Sequence, residues 1–194
     1  MKKLVCLLLA VVLLCSLTAC AGQSKEEERM ERVLTRFFTC PDETVVSYVK
    51  SATVFWGEGA PAQDADLLEK AQKAKDDCTA YLKTVFTAED MTEELQEKFC
   101  NEQYHLVMFP TLASDAGVTL TVESLEIELV SESSRSYSYT AELLMTKADG
   151  EEIPFTQKGK LSLSEDGRIS WIDTAVFADL TSKLMNMANE NLAN

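Results

Sequence analysis

Val118-Thr119-Leu120-Thr121-Val122-Glu123-Ser124-Leu125-Glu126-Ile127-Glu128-Leu129 is the stretch that decides how this chain folds. Val118, Leu120 and Val122 alternate with Thr119 and Thr121, the period of two that marks a half-buried strand. Leu125, Ile127 and Leu129 continue on the other parity, a shift that predicts a bulge near Glu123-Ser124. The same period returns at Tyr137, Tyr139, Ala141, Leu143 and Met145, which predicts a second strand. Ala148-Asp149-Gly150 is a hairpin signal leading to a third strand from about Phe155 to Leu163. Glu165-Asp166-Gly167 then turns into a fourth, Arg168 to Asp173, which carries Trp171.

Upstream of Gly117 the period is helical. Met30, Val33, Leu34 and Phe37 line one face of a helix that runs to about Phe38, with Glu31, Arg32 and Arg36 outside. Gln23 to Glu28, charged and without apolar residues, reads as a tether or as the frayed first turn of that helix. Cys40-Pro41 interrupts, and Asp42-Glu43 place acid at the start of a second helix through Val45, Val46 and Val49. Gly57, Gly59 and Pro61 mark a loop beside Phe55 and Trp56. Leu67, Leu68, Ala71, Ala74, Cys78, Leu82 and Val85 predict a long helix from Asp64 to Phe86. Thr87 to Asp90 reads as a capping-box variant opening another helix, through Met91, Leu95 and Phe99 to about Leu106. Pro110 and Gly117 are expected to bracket the loop that ends the helical half, and Phe177, Leu180, Leu184 and Met187 are spaced for a final helix.

Helices first and a four-stranded antiparallel meander after them give an α+β class, with the helices covering one face of the sheet. This order, over about Arg29 to Asp173, with its long hairpins and the closing segment Gly167-Arg168-Ile169-Ser170-Trp171-Ile172, resembles the nuclear transport factor 2-like, or cystatin-like, cone. The resemblance implies a strongly curved sheet wrapped around the N-terminal helices with a pocket between them. The extra C-terminal helix departs from the simplest members.

The leader carries a second resemblance. Met1-Lys2-Lys3 is a positive n-region and Leu4 to Leu14 an unbroken apolar run, together an export signal. Leu17-Thr18-Ala19-Cys20 then resembles the lipobox of bacterial lipoproteins, in which a peptidase cuts before a Cys whose thiol has received diacylglycerol. The resemblance implies that Cys20 is lipidated and anchors an exported protein to the outward face of the cell membrane, with chains enough for stable attachment. Secretory cleavage after Ala21 would also fit Ala19-Cys20-Ala21, and an uncleaved anchor from Leu4 to Ala21 approaches the length of a span. The expected organisation is a signal peptide over 1–19, a lipidated Cys and short tether over 20–28, and a single domain over 29–194.

With 18 Lys plus Arg against 32 Asp plus Glu, the formal charge is −14, which argues against nucleic acid as a partner. Removing the leader takes away only Lys2 and Lys3, so the remainder is more acidic still, which also argues against electrostatic docking on anionic lipid. Of six cysteines, Cys40, Cys78 and Cys100 lie beyond Cys20, an odd set that allows at most one internal disulfide and three pairings. Their other reading is as small buried hydrophobes.

His105 is the only histidine, so a His-based metal cluster is out of reach and any His-dependent nucleophile would have to pass through this one residue. Asp64, Asp66, Asp76 and Asp77 lack the spacing and glycine of a calcium loop, and the sequence implies neither a metal nor a cofactor. Tyr48, Trp56, Tyr104, Tyr137, Tyr139, Phe155 and Trp171 are spread over the elements that would face one another in a cone. Aromatics with polar tips suit a ligand cavity, and they equally suit the core of the curved sheet. The expectation is a non-catalytic, lipid-anchored surface protein that binds an unknown small ligand or an envelope protein. A cone-fold enzyme of the isomerase or dehydratase type and a structural envelope protein remain as alternatives. Glu132-Ser133-Ser134-Arg135-Ser136 reads as an exposed hairpin tip.

Overall fold

The computed structural model describes residues 24–53, 65–102 and 104–192, with side chains at all of these except 52, 53, 102, 104 and 105. The leader, Cys20, Trp56 and the loop at Gly57 to Pro61 lie outside the described residues. The chain runs as α1 (Lys25–Phe38), α2 (Glu43–Thr53), α3 (Ala65–Val85), α4 (Glu93–Glu102) and α5 (Tyr104–Ala116), then β1 (Val118–Ser131), β2 (Ser136–Lys147), β3 (Glu152–Leu163) and β4 (Ile169–Ile172). A 3₁₀ turn at Ala175–Phe177 leads into α6 (Ala178–Leu192). The fold is α+β, an antiparallel meander in the order β1-β2-β3-β4 with helices packed on one face.

α1 begins where a cap is available. The Ser24 hydroxyl accepts from the Glu27 N–H at 3.1 Å and the Glu27 carboxylate accepts from the Ser24 N–H at 2.9 Å, a reciprocal capping box. The charged stretch is thus the first helical turn from Lys25 onward. Met30, Val33, Leu34, Phe37 and Phe38 are all buried, each worth ~1.5–3 kcal/mol over an exposed position. They meet the inward-facing residues of the sheet, with Leu120, Tyr139, Ala141, Leu143, Met145 and Leu161 among them.

The bulge falls between Val122 and Ser124, and it brings Leu125, Ile127 and Leu129 into register with Ala141, Tyr139 and Tyr137 on the face that Leu120 and Val122 already occupy. Gly150 at φ 88° and Gly167 at φ 78° hold the two turns in the left-handed region where a side chain would be strained. β3 starts earlier than its sequence pattern, at Glu152, because its pairing with β2 continues through Pro154 to Ile153 and Glu152.

Two expectations are corrected. Pro110 lies inside α5 rather than in a loop: Phe109 and Ala113, on either side of it, are completely buried, and that packing outweighs the backbone hydrogen bond Pro cannot donate. Thr87 to Asp90 forms a turn and not a helix start. The Thr87 hydroxyl reaches the Asp90 carboxylate at 3.1 Å, while Asp90 turns to Arg32 of α1 at 2.6 Å and is 3% exposed. Thr92 takes over as cap, accepting from the Leu95 N–H at 3.4 Å, and α4 starts at Glu93.

Cys40, Cys78 and Cys100 are free and buried. Burial pushes the Cys78 and Cys100 thiols up to about 11 and raises Cys40 further, with Asp42 adding to the rise at Cys40. In the unfolded chain a thiol ionises near 8.5, so above that pH the unfolded state loses protons that the folded state keeps. Stability therefore falls as pH rises from about 8.5 to 11. Under reducing conditions the urea midpoint is expected to fall steadily across this window, and a midpoint that stays level to pH 10 would contradict the burial of these thiols.

Candidate functional site

The chain turns sharply at the end of α1, where the Thr39 N–H bonds back to the Thr35 carbonyl and a cis Cys40–Pro41 peptide leads into α2. Asp42 stands before α2 as its cap, Oδ1 accepting from the backbone N–H of Thr44 at 2.9 Å and of Val45 at 3.1 Å. Its other oxygen accepts from the Tyr81 hydroxyl of α3 at 2.8 Å. One carboxylate thus starts α2 and ties it to α3.

Beside this pair lies a cleft of about 220 Å³. Its rim is Arg36, Thr39 and Asp42, and its floor is apolar: Phe37, Val45, Leu82, Val85, Phe86 and Leu106, with Pro41 and Pro110 at the sides. Burial, and next the Asp42 carboxylate to which it donates, hold the Tyr81 phenol above its ordinary value, with Arg36 pulling weakly the other way. Asp42 has three donors on two oxygens, all from the protein's own backbone and Tyr81. Arg36 is exposed and forms no ion pair among the described residues. The site can seat an apolar body and offer a cation to a negative group. Among the described residues there is no group of three His, Cys, Asp or Glu side chains placed to hold a metal ion.

Of the seven aromatics singled out in the sequence, the five whose side chains are described, Tyr48, Tyr137, Tyr139, Phe155 and Trp171, do not line this cleft. Tyr137, Tyr139 and Phe155 share the helix-facing side of the sheet, where Tyr137 and Phe155 are half-buried and Tyr139 is 2% exposed. Tyr139 lies against its cross-strand neighbour Gly159, where a Cβ would sit 2.4 Å from the hydroxyl oxygen. Its hydroxyl has no hydrogen-bond partner among the described residues, and burial raises the phenol far above the ordinary value. Tyr139 fills core beside Phe38, 6.2 Å between ring centres, and Phe37, Phe38, Phe109 and Phe177 pack together beside it. Tyr48 sits half-buried on α2. Trp171 is 47% exposed and opposite Ser162, on the face turned away from the helices, so it is not brought to the others. Trp56 and the side chains of Tyr104 and His105 lie outside the described residues.

Sequence reasoning placed Asp42 as first-turn acid and passed over Tyr81. The available signal was positional: Pro41-Asp42 ahead of Val45 is a cap pattern, and Tyr81 stands three residues past Cys78 and four before Val85, on the edge of the buried stripe of α3.

Comparison of the chain with family models, with curated proteins and with solved structures finds no match.

Asp42→Ala is expected to cost about 1–3 kcal/mol through loss of the cap and of the Tyr81 contact, and Tyr81→Phe about 1 kcal/mol. A double-mutant cycle by urea denaturation should give coupling of roughly 1 kcal/mol, whereas additive losses would mean that the two groups do not interact in solution.

Proposed function

We propose that this protein is a lipid-anchored, outward-facing binding protein of a bacterial envelope, without catalytic activity of its own. In this reading the cleft beside Arg36 and Asp42 takes a small ligand with an apolar body and a negative group. The export leader and the lipobox-like Leu17-Thr18-Ala19-Cys20 support the address. The order of helices and meander supports a likeness to the nuclear transport factor 2-like cone, but with its interior occupied by phenylalanine.

One observation carries the choice of binding over catalysis: the only carboxylate at the rim is held by three structural donors while the only arginine there is left unpaired among the described residues. A general base needs a free, poised oxygen, and a binding site needs a fixed one. At about 220 Å³ the cleft suits a ligand smaller than a typical drug-sized molecule.

Native mass spectrometry of the protein extracted from its own membrane fraction tests both halves. The expected species begins at Cys20 and carries the mass of a diacylglyceryl group with an acyl chain, while Cys20→Ala lacks it. A small adduct should be retained by the unaltered cleft and lost in Arg36→Ala. An unmodified chain beginning after Ala21 would overturn the anchor, and an adduct kept by Arg36→Ala would overturn the cleft.

A further inference from the structure

The two edges of the sheet are finished differently. At the far edge, β4 pairs only with Leu161 to Leu163 of β3, and its Ile169 is covered in turn, the N–H donating to the Asp90 carbonyl at 2.9 Å and the carbonyl accepting from the Thr92 N–H at 2.8 Å; along the rest of β3, Pro154 lacks an N–H and the Lys158 carbonyl accepts from the Gln157 side chain. At β1, Cys40 exchanges both backbone bonds with Leu120, at 2.7 and 3.0 Å, and closes the start of the strand. Leu120 therefore turns its backbone groups away from β2. The register across the bulge hands the same orientation to Leu125, Ile127 and Leu129, which stand opposite Ala141, Tyr139 and Tyr137. Their N–H and C=O groups have no backbone partner among the described residues. An open edge of this length is a template for another strand.

The side chains along this edge have an ordered chemistry. Leu125 and Ile127 are half-buried on the inner face, and Leu129 and Val130 are 50% and 56% exposed. Glu126 and Glu128 alternate with them on the outer face, both exposed, and Glu123 is exposed at the bulge. On the inner side near Tyr137, Glu26 of α1 is paired with Arg135, and Glu27 lies close by.

We infer that the free edge of β1 binds an extended segment of a protein partner in which basic and apolar residues alternate, adding a fifth strand to the sheet. Residues directly opposite in an added strand share a face, so apolar side chains meet Leu125, Ile127 and Leu129 while basic ones meet Glu126 and Glu128. A second copy of this chain fits poorly, because antiparallel β1 against β1 sets glutamates against glutamates on the outer face. The formal charge of −14 steers a cationic segment toward the protein and repels another copy. The inference stands on the sheet edge and is independent of the lipid anchor and of the helical cleft.

The test is fluorescence anisotropy with the full chain in non-ionic detergent and a labelled, end-capped heptapeptide Lys-Val-Lys-Val-Lys-Val-Lys. Saturable binding is expected, weakened at least tenfold in the doubly substituted Glu126→Lys, Glu128→Lys protein, whose far-ultraviolet circular dichroism should be unchanged because both positions are exposed. Methylating the three valine amides removes the donors that would face β1 and should abolish binding, and Glu-Val-Glu-Val-Glu-Val-Glu should not bind. No binding of the lysine peptide, equal binding of the methylated one, or equal binding by the charge-reversed protein would each overturn the inference. So would a stable dimer of the protein alone in sedimentation velocity, since the edge would then belong to a second copy.

Discussion

Burial of the α1 stripe against one face of a single-layer sheet is the contact on which the rest of the structure depends. A sheet of four strands with one face in water must cover the other, and Met30, Val33, Leu34, Phe37 and Phe38 are all buried in the core that does so. Polar clamps then fix how α1 lies. Glu26 pairs with Arg135 at the first hairpin, Arg29 donates to the Gly167 carbonyl at the last one, and Arg32 holds the buried Asp90 between α3 and α4. At the other end, Cys40 joins the edge of β1. A helix pinned at both ends sets where α2 begins, and so where Asp42 and its cleft stand.

The same packing decides where function can reside. Phe37 and Phe38 project into the space between helices and sheet, and with Phe109 and Phe177 they fill it, with ring centres 5.1–5.8 Å apart for Phe37–Phe177, Phe37–Phe109, Phe109–Phe177 and Phe38–Phe177. The two places proposed for binding, the helical cleft and the uncovered half of β1, accordingly lie at the periphery. Cys40 protects the start of that strand, and Asp90 and Thr92 protect Ile169 at the start of β4. The remaining stretch of β1 carries exposed Glu126 and Glu128, a charge that discourages indiscriminate pairing and, in the proposed complex, selects a basic segment.

Features set by local periodicity were legible in the sequence. The change of period at Gly117, the bulge at Glu123, the turns at Gly150 and Gly167 and the stripe of α1 all follow from residues near one another in the chain. What escaped depends on distant partners. Pro110 is helical because of what Phe109 and Ala113 bury against, and Thr87 and Asp90 fail to start a helix because Arg32 claims the carboxylate. Ile169 and Trp171 share a parity that implies one face. An irregularity in the β3–β4 pairing makes Ile172 the buried companion of Ile169 instead and sends Trp171 to solvent. The Asp42–Tyr81 contact spans 39 residues, and the openness of β1 follows from strand order, which alternation within one strand does not encode.

Amide hydrogen exchange of the free protein, read residue by residue by nuclear magnetic resonance, tests most directly the claim that α1 closes the core while half of β1 stays open. Slow exchange is expected through Val33 to Phe38, along β2 and at the β3 amides that face it, Ile153, Phe155, Gln157, Gly159 and Leu161, with Leu125, Ile127 and Leu129 exchanging much faster than Glu126 and Glu128 between them. Uniform protection along β1, or rapid exchange throughout α1, would contradict the account.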